Sequence, residues 1–79
     1  MENNEIIQQD IKMMRAMIGQ TIKDYLLKNN LTITALSQAS GVSREQIGWL
    51  MNGTRDPRVS TILKVLSVMG MTLNITIEE

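Results

Sequence analysis

Residues 41–53 read "GVSREQIGWLMNG", and this stretch decides how the 79-residue chain is interpreted. It opens on a glycine that suits a turn, and Ser43 then suits the N-cap of a helix, with a glutamine three residues later as in a capping box. Ile47 and Leu50 are spaced to form one inward face, and the closing Asn-Gly pair is typical of a helix end. The stretch therefore predicts a short helix over 43–52 whose other side chains point outward.

A shorter helix is predicted before this one and a longer helix after it. Thr32 is a good N-cap for "ITALSQAS" (33–40), which has room for about two turns and one inward leucine. The polar loop "TRDP" (54–57) then leads into "RVSTILKVLSVMG" (58–70), where a final glycine suits the C-terminal stop. The inward residues of this last helix are expected to be Val59, Ile62, Leu63, Leu66 and Met69.

The first third of the chain has an amphipathic helical pattern from Glu5 to Asn29. Its apolar residues recur every three or four positions and are Ile7, Ile11, Met14, Ile18, Ile22, Tyr25 and Leu26. Asn29-Asn30 suits a helix end because asparagine tolerates the left-handed conformation. The pattern fits both one long helix and two pieces that bend near Gly19.

The last segment, "MTLNITIEE" (71–79), changes period, because apolar and polar residues alternate as they do in a strand. The sequence predicts no second strand, and a lone strand leaves its backbone groups unpaired. The simplest partner is the same segment of a second copy, paired antiparallel about a two-fold axis. The alternatives are strand addition by another protein and a frayed tail. We therefore expect a homodimer whose interface contains Met71, Leu73, Ile75 and Ile77.

The composition excludes several classes of site. The chain has no cysteine and no histidine, which excludes disulfides, thiolate or histidine metal sites, and catalysis by a nucleophile–histidine pair. No apolar run is long enough to span a membrane, and no signal-peptide pattern opens the chain. We expect a cytoplasmic protein that is not an enzyme, has no cofactor or metal, and does not bind membranes.

The formal net charge is zero, which at first argues against nucleic acid as a partner. The charges are unevenly placed, however, and residues 31–69 carry a surplus of positive charge. The basic residues of this part are Arg44, Arg55, Arg58 and Lys64, and its acidic residues are Glu45 and Asp56.

The segment "LTITALSQASGVSREQIGWLMNGTRDPRVSTILKVLSVMGM" (31–71) strongly resembles the phage-repressor and Cro-like (XRE-type) helix-turn-helix family. Within that family, the strand after the last helix looks like that of the HipB- and HigA-type antitoxins. The resemblance implies an all-α, lambda-repressor-like bundle of four or five helices with a C-terminal β-strand that pairs across a dimer. It implies an N-terminal helical extension (1–16), a DNA-binding domain (17–71) and a dimerisation strand (72–79).

The same resemblance implies that helix 43–52 enters the major groove of double-stranded DNA. Its expected base contacts are Ser43, Arg44, Glu45 and Trp49, and its expected phosphate contacts are Thr34, Gln46, Asn52, Arg55 and Arg58. The chemistry fits, since Arg44 can donate two hydrogen bonds to guanine and Glu45 can accept one from cytosine. The alternative for Arg44 and Glu45 is that they are solvated helix residues, and Glu45 could also discriminate against wrong sites instead of reading a cytosine. The alternative for Trp49 is half-buried packing against the 54–58 loop.

Two positions depart from expectation. The family often has a phosphate-binding glutamine where this chain has Ile33. Gly48 costs about 1 kcal/mol in a helix interior, and it is either tolerated or lets the helix lie closer to a neighbouring backbone.

These features are compatible with three functions. The first is a sequence-specific DNA-binding transcriptional repressor that acts as a homodimer on a palindromic operator. The alternative is an antitoxin that neutralises a partner toxin and autoregulates its operon, with residues 1–16 as the toxin-contacting segment. A third reading, a protein-interaction fold that has lost DNA contact, is supported by Ile33 and the zero net charge alone.

Overall fold

Four α-helices make up residues 4–72, the part of the chain that the computed structural model describes, with side chains described from residue 8 onward. They are α1 (Asn4–Lys28), α2 (Ile33–Ser40), α3 (Arg44–Asn52) and α4 (Val59–Val68). The prediction of an all-helical bundle of four or five helices is confirmed, and residues 4–72 contain four helices. The strand predicted over 72–79 lies outside the described residues, except for Thr72, which is in neither a helix nor a strand.

One continuous helix, α1, runs through Gly19. A Cβ atom at Gly19 would lie 2.5 Å from the carbonyl oxygen of Met51 and 2.9 Å from that of Leu50. Glycine is therefore needed here because the C-terminal end of α3 packs directly against α1, and not because the helix breaks. The boundary expected between residues 16 and 17 falls inside α1, and the division of the chain into three parts stays a prediction.

The helix ends follow from local sequence. α1 is followed by Asn30 in the left-handed conformation (φ 55°), and α4 is followed by Gly70 in the same conformation (φ 74°). In each case the next backbone N–H donates to a carbonyl oxygen five residues back at 2.8 Å, from Leu31 to Leu26 and from Met71 to Leu66. This is the Schellman arrangement, so both predicted helix stops are confirmed.

The hydrophobic core receives side chains from all four helices. α1 packs against α3, while α2 packs against both α3 and α4. The buried residues are Ile22, Leu26, Leu36, Val42, Ile47, Leu50, Ile62, Val65, Leu66 and Met69. No helix within residues 4–72 is long and apolar enough to cross a membrane.

The inward face predicted for α4 was wrong at two positions. Val59 is 60% exposed and Leu63 is 42% exposed, whereas Val65, which was not predicted to face inward, is fully buried. Val59 is the first residue of α4 and lies at the margin of the core. The buried face is centred on Ile62, and a residue one position later is rotated by about 100° around the helix, which turns Leu63 toward solvent.

From Gln8 onward, where side chains are described, the apolar stripe of α1 is buried only in the second half of the helix, and Ile7 of the predicted stripe lies outside this range. Ile22 and Leu26 are in the core, whereas Ile11 and Met14 are exposed. The 25 residues of α1 make a helix about 37 Å long, while the other helices have eight to ten residues each. The side chains of residues 8–14, in the N-terminal half of α1, are all exposed.

Candidate nucleic-acid interface

The start of α3 is set by Ser43. Its backbone is extended (φ −64°, ψ 155°), and its hydroxyl oxygen accepts a hydrogen bond from the N–H of Gln46 at 3.2 Å. Ile47 and Leu50 are buried and fix the rotation of the helix about its axis. Because the Ser43 oxygen serves the cap, its hydroxyl proton is the group left free for an outside acceptor.

The turn between α2 and α3 places the two helices relative to each other. Gly41 is left-handed (φ 76°), as predicted for a turn residue, and its N–H donates to the carbonyl of Ser37 at 2.9 Å. The next residue, Val42, is buried, and its N–H donates to the hydroxyl of Ser40 at 3.2 Å. This turn is therefore anchored in the core as well as hydrogen-bonded.

The N-terminal ends of α2 and α3 open onto one shared surface. Arg44 and Glu45, on the first turn of α3, line a shallow depression together with Ile33 and Thr34 from the first turn of α2. Arg44, Glu45 and Thr34 are exposed. Each helix N-terminus carries partial positive charge from its N–H groups, and Arg44 and Glu45 add one full charge of each sign to this surface.

A second group of predicted residues lies along the outer side of α3. Gln46 and Trp49 line a groove together with Arg55 and Arg58 from the loop before α4. The guanidinium carbon of Arg55 lies 3.9 Å from the centroid of the Trp49 ring, in a cation–π contact. Trp49 is half-buried and packs on the 54–58 loop. The alternative prediction for Trp49, half-buried packing against this loop, is therefore confirmed.

The same groove is positively charged. Of the residues that line it, Arg55, Arg58 and Lys64 are basic, and Asp56 is acidic. The carboxylate of Asp56 forms an ion pair with Arg15 of α1. The pair is worth little stability because Asp56 is 76% exposed, but it balances the negative charge of the groove.

Sequence reasoning missed the part that Lys64 and Arg15 play in this surface. Ser60 and Lys64 of α4 both line the groove, and their four-residue spacing, which puts them on one face of the helix, was the available signal. Nothing in the sequence indicates that Arg15 contacts Asp56, because the two residues are 41 positions apart.

The remaining predicted residues lie apart from these two groups. Ser43 and Asn52 are exposed at the two ends of α3 and line neither the depression nor the groove. Met71, predicted for the dimer interface, lies beside α1. The other residues of that interface, Leu73, Ile75 and Ile77, lie outside the described residues. The roles assigned to all of these residues stay predictions.

Gly48 is half-buried on α3, and a Cβ atom built on it would meet no heavy atom within 4 Å. Among residues 4–72, therefore, no neighbouring backbone lies close enough to α3 to require a glycine at this position.

Comparison with known proteins identifies the family. The helix-turn-helix family model HTH_3 matches residues 22–75, from the second half of α1 to beyond α4. No curated protein and no solved structure matches the chain significantly. Because the family model covers more than half of the chain, the protein belongs to the XRE-type helix-turn-helix family and is a DNA-binding transcription regulator.

Proposed function

We propose that this protein is a sequence-specific transcriptional repressor that binds double-stranded DNA as a homodimer. The observation that carries the proposal is the exposed pair Arg44 and Glu45 on the first turn of α3, a helix anchored by the buried Ile47 and Leu50. A major groove about 12 Å wide admits such a helix, and its N-terminal residues then meet the base edges.

The base contacts follow from side-chain chemistry. The Arg44 guanidinium donates to O6 and N7 of a guanine, and the Glu45 carboxylate accepts from N4 of a cytosine. Ser43 adds a hydroxyl donor at the start of the helix. Trp49 packs on Arg55 through one face of its ring, so its proposed contact with a thymine methyl group or a sugar uses the part of the ring that stays exposed.

The phosphate contacts lie on both sides of this base-reading face. Thr34, at the start of α2, serves one side. Gln46, Arg55 and Arg58 serve the other, where the groove is positively charged. Asn52 adds a polar side chain at the end of α3. These contacts supply affinity and fix the register of α3 on the duplex without reading sequence.

Because the proposed homodimer has two-fold symmetry, we expect its operator to be palindromic. Two copies of α3 related by a two-fold axis would read half-sites about 34 Å apart, in successive major grooves. Residues 72–79 form the dimerisation strand of this proposal, residues 17–71 the DNA-binding domain, and residues 1–16 a helical extension. The dimer represses by occupying a promoter.

Selection of bound DNA from a random pool tests whether the protein reads sequence, and an absence of any enriched motif would contradict the proposal.

On the enriched site, Arg44→Ala should weaken binding by about 1–3 kcal/mol and relax one base position. The matched control is Arg58→Ala, which should weaken binding to all sequences alike. If Arg44→Ala also weakens all sequences alike, Arg44 contacts phosphate and not a base.

An antitoxin that neutralises a partner toxin and autoregulates its operon is the second candidate. The observation that favours it is the exposed apolar surface of Met13 and Met14, inside the 1–16 segment expected to contact a toxin. The resemblance of the predicted strand to HipB- and HigA-type antitoxins supports it as well. A toxin-like gene beside this one, whose product co-purifies with the protein, would favour the antitoxin over the simple repressor.

A further inference from the structure

Arg15 lies on the face of α1 that packs against the bundle. It precedes Gly19 by four residues and Ile22 by seven, so the three residues share one side of the helix. A Cβ atom at Gly53 would lie 3.6 Å from the Cβ atom of Arg15, which puts the start of this side chain against the turn that ends α3. From Gln8 onward, Arg15 is the first side chain of α1 that is not exposed. The charged side chain therefore begins inside the contact between α1 and α3.

Stability does not explain an arginine at this position. Its Nε atom is buried and has no hydrogen-bond partner among the described residues. A buried N–H group without a partner is unfavourable, because it has lost its hydrogen bond to water. The ion pair with Asp56 contributes little stability, since that carboxylate is 76% exposed. The reason for the arginine therefore lies in what its guanidinium holds.

The guanidinium holds the loop between α3 and α4, which has no regular secondary structure. Among the described residues, the Arg15–Asp56 pair is the one hydrogen bond that residues 55–57 make to the rest of the chain. The loop is otherwise held by the cation–π contact of Arg55 with Trp49. Loss of the Arg15–Asp56 pair would therefore leave this contact with little else to fix it.

We infer that Arg15 is a positioning residue for DNA binding, and that it holds the loop so that Arg55 and Arg58 face the duplex. This role rests on the proposed function, in which these two arginines contact phosphate. Arg15 acts through Asp56 and does not itself contact the DNA. It lies before the stretch that matches the helix-turn-helix family, which begins at residue 22. The first half of α1 therefore contributes to the DNA-binding surface from outside that stretch.

Arg15→Met tests this role because methionine keeps an unbranched apolar stem against α3 and removes the guanidinium. The thermal unfolding temperature should stay close to that of wild type, since the lost pair is at an exposed carboxylate. Without DNA, acrylamide quenching of Trp49 should rise toward that of Arg55→Ala, because the freed loop no longer keeps Arg55 on the ring. The matched control is Lys12→Met, which removes the same charge from α1 at an exposed residue and should leave the quenching unchanged.

DNA affinity is measured by fluorescence anisotropy on the site enriched from the random pool. We expect Arg15→Met to raise the dissociation constant about tenfold, and Lys12→Met to raise it by no more than about twofold. Arg15→Lys should recover most of the loss, because the pair with Asp56 uses a single guanidinium nitrogen and an ammonium group can replace it.

A double-mutant cycle with Asp56→Ala distinguishes positioning from a direct effect of the Arg15 charge. A phosphate contact or a simple charge effect is additive, so it would make Arg15→Met equally harmful with and without Asp56. If Arg15 acts through Asp56, Arg15→Met should change the dissociation constant by no more than about twofold in the Asp56→Ala background. Both proteins in this comparison lack Asp56, so the charge that this variant removes from the groove does not affect it. An undiminished loss of affinity overturns the inference.

The quenching and affinity measurements report separately. Unchanged quenching of Trp49 in Arg15→Met overturns the inference whether or not the protein binds DNA. Increased quenching with unchanged DNA affinity also overturns it, because the loop would then move without consequence for the duplex. A wild-type protein that enriches no DNA sequence overturns the proposed function and with it the DNA-binding role of Arg15, whereas the quenching still decides whether Arg15 holds the loop.

Discussion

At the residue scale, two glycines that lie inside helices have opposite surroundings. Gly19 faces the backbone of α3, and the nearest carbonyl oxygen is 2.5 Å from the position of a Cβ atom. We expect Gly19→Ala to lower the free energy of unfolding by about 1–3 kcal/mol, because a methyl group would force α1 and α3 apart. Urea denaturation monitored by circular dichroism measures this change.

The matched control is Gly48→Ala. A Cβ atom at Gly48 meets nothing within 4 Å, so the change should add helix propensity without a clash. The free energy of unfolding is expected to rise by up to about 1 kcal/mol. A destabilised Gly48→Ala protein would mean that α3 has a close neighbour on this side.

Trp49 and Arg55 form the other residue-scale contact that is open to measurement. Trp49 is the only tryptophan, so its fluorescence reports on this site alone. Arg55→Ala removes the guanidinium from the ring face and should make Trp49 more accessible to acrylamide quenching, with a loss of about 0.5–1 kcal/mol in stability. Arg58→Ala is the control, and equal quenching in both variants would contradict a specific Arg55–Trp49 contact.

At the scale of the element, α3 combines a structural cap with a surface-exposed first turn. Ser43→Ala removes the oxygen that accepts the Gln46 N–H and should cost about 1 kcal/mol of stability. Ser43→Asp keeps a capping oxygen and places a carboxylate at the end of α3 that is proposed to enter the DNA. It should therefore retain thermal stability and lose DNA affinity, and unchanged DNA binding would place this end of α3 away from the duplex.

The elements themselves follow closely from local sequence. The bounds of α2 agree with the prediction, and α3 begins one residue later because Ser43 is its cap. α4 was predicted over 58–70 but covers Val59–Val68. Arg58 serves as its N-cap, and the last two residues belong to the turn that Gly70 closes.

At the scale of the whole molecule, a zero net charge coexists with a positively charged groove. Asp56 is paired with Arg15 of α1, which leaves Arg55, Arg58 and Lys64 as the uncompensated charges of that surface. Lys64→Gln should reduce the slope of log affinity against log salt concentration by about one for each subunit bound. Fluorescence anisotropy with labelled operator DNA across a series of KCl concentrations measures the slope.

The control for Lys64→Gln is Lys23→Gln, which removes the same charge from α1 at an exposed residue outside the groove. The salt slope of this variant should equal that of wild type. Equal reductions in both variants would show that general charge, and not the groove, sets the salt dependence.

The sequence by itself determined the helical class, the caps at Ser43 and Thr32, the turn at Gly41 and the outward position of Arg44 and Glu45. Each of these depends on residues within about one helical turn, so local patterns suffice. Only the tertiary structure decided why Gly19 is a glycine, that Arg15 reaches Asp56, and that Leu63 is exposed while Val65 is buried. These facts depend on packing between segments distant in sequence, and local apolar spacing gives the covered side of a helix only approximately.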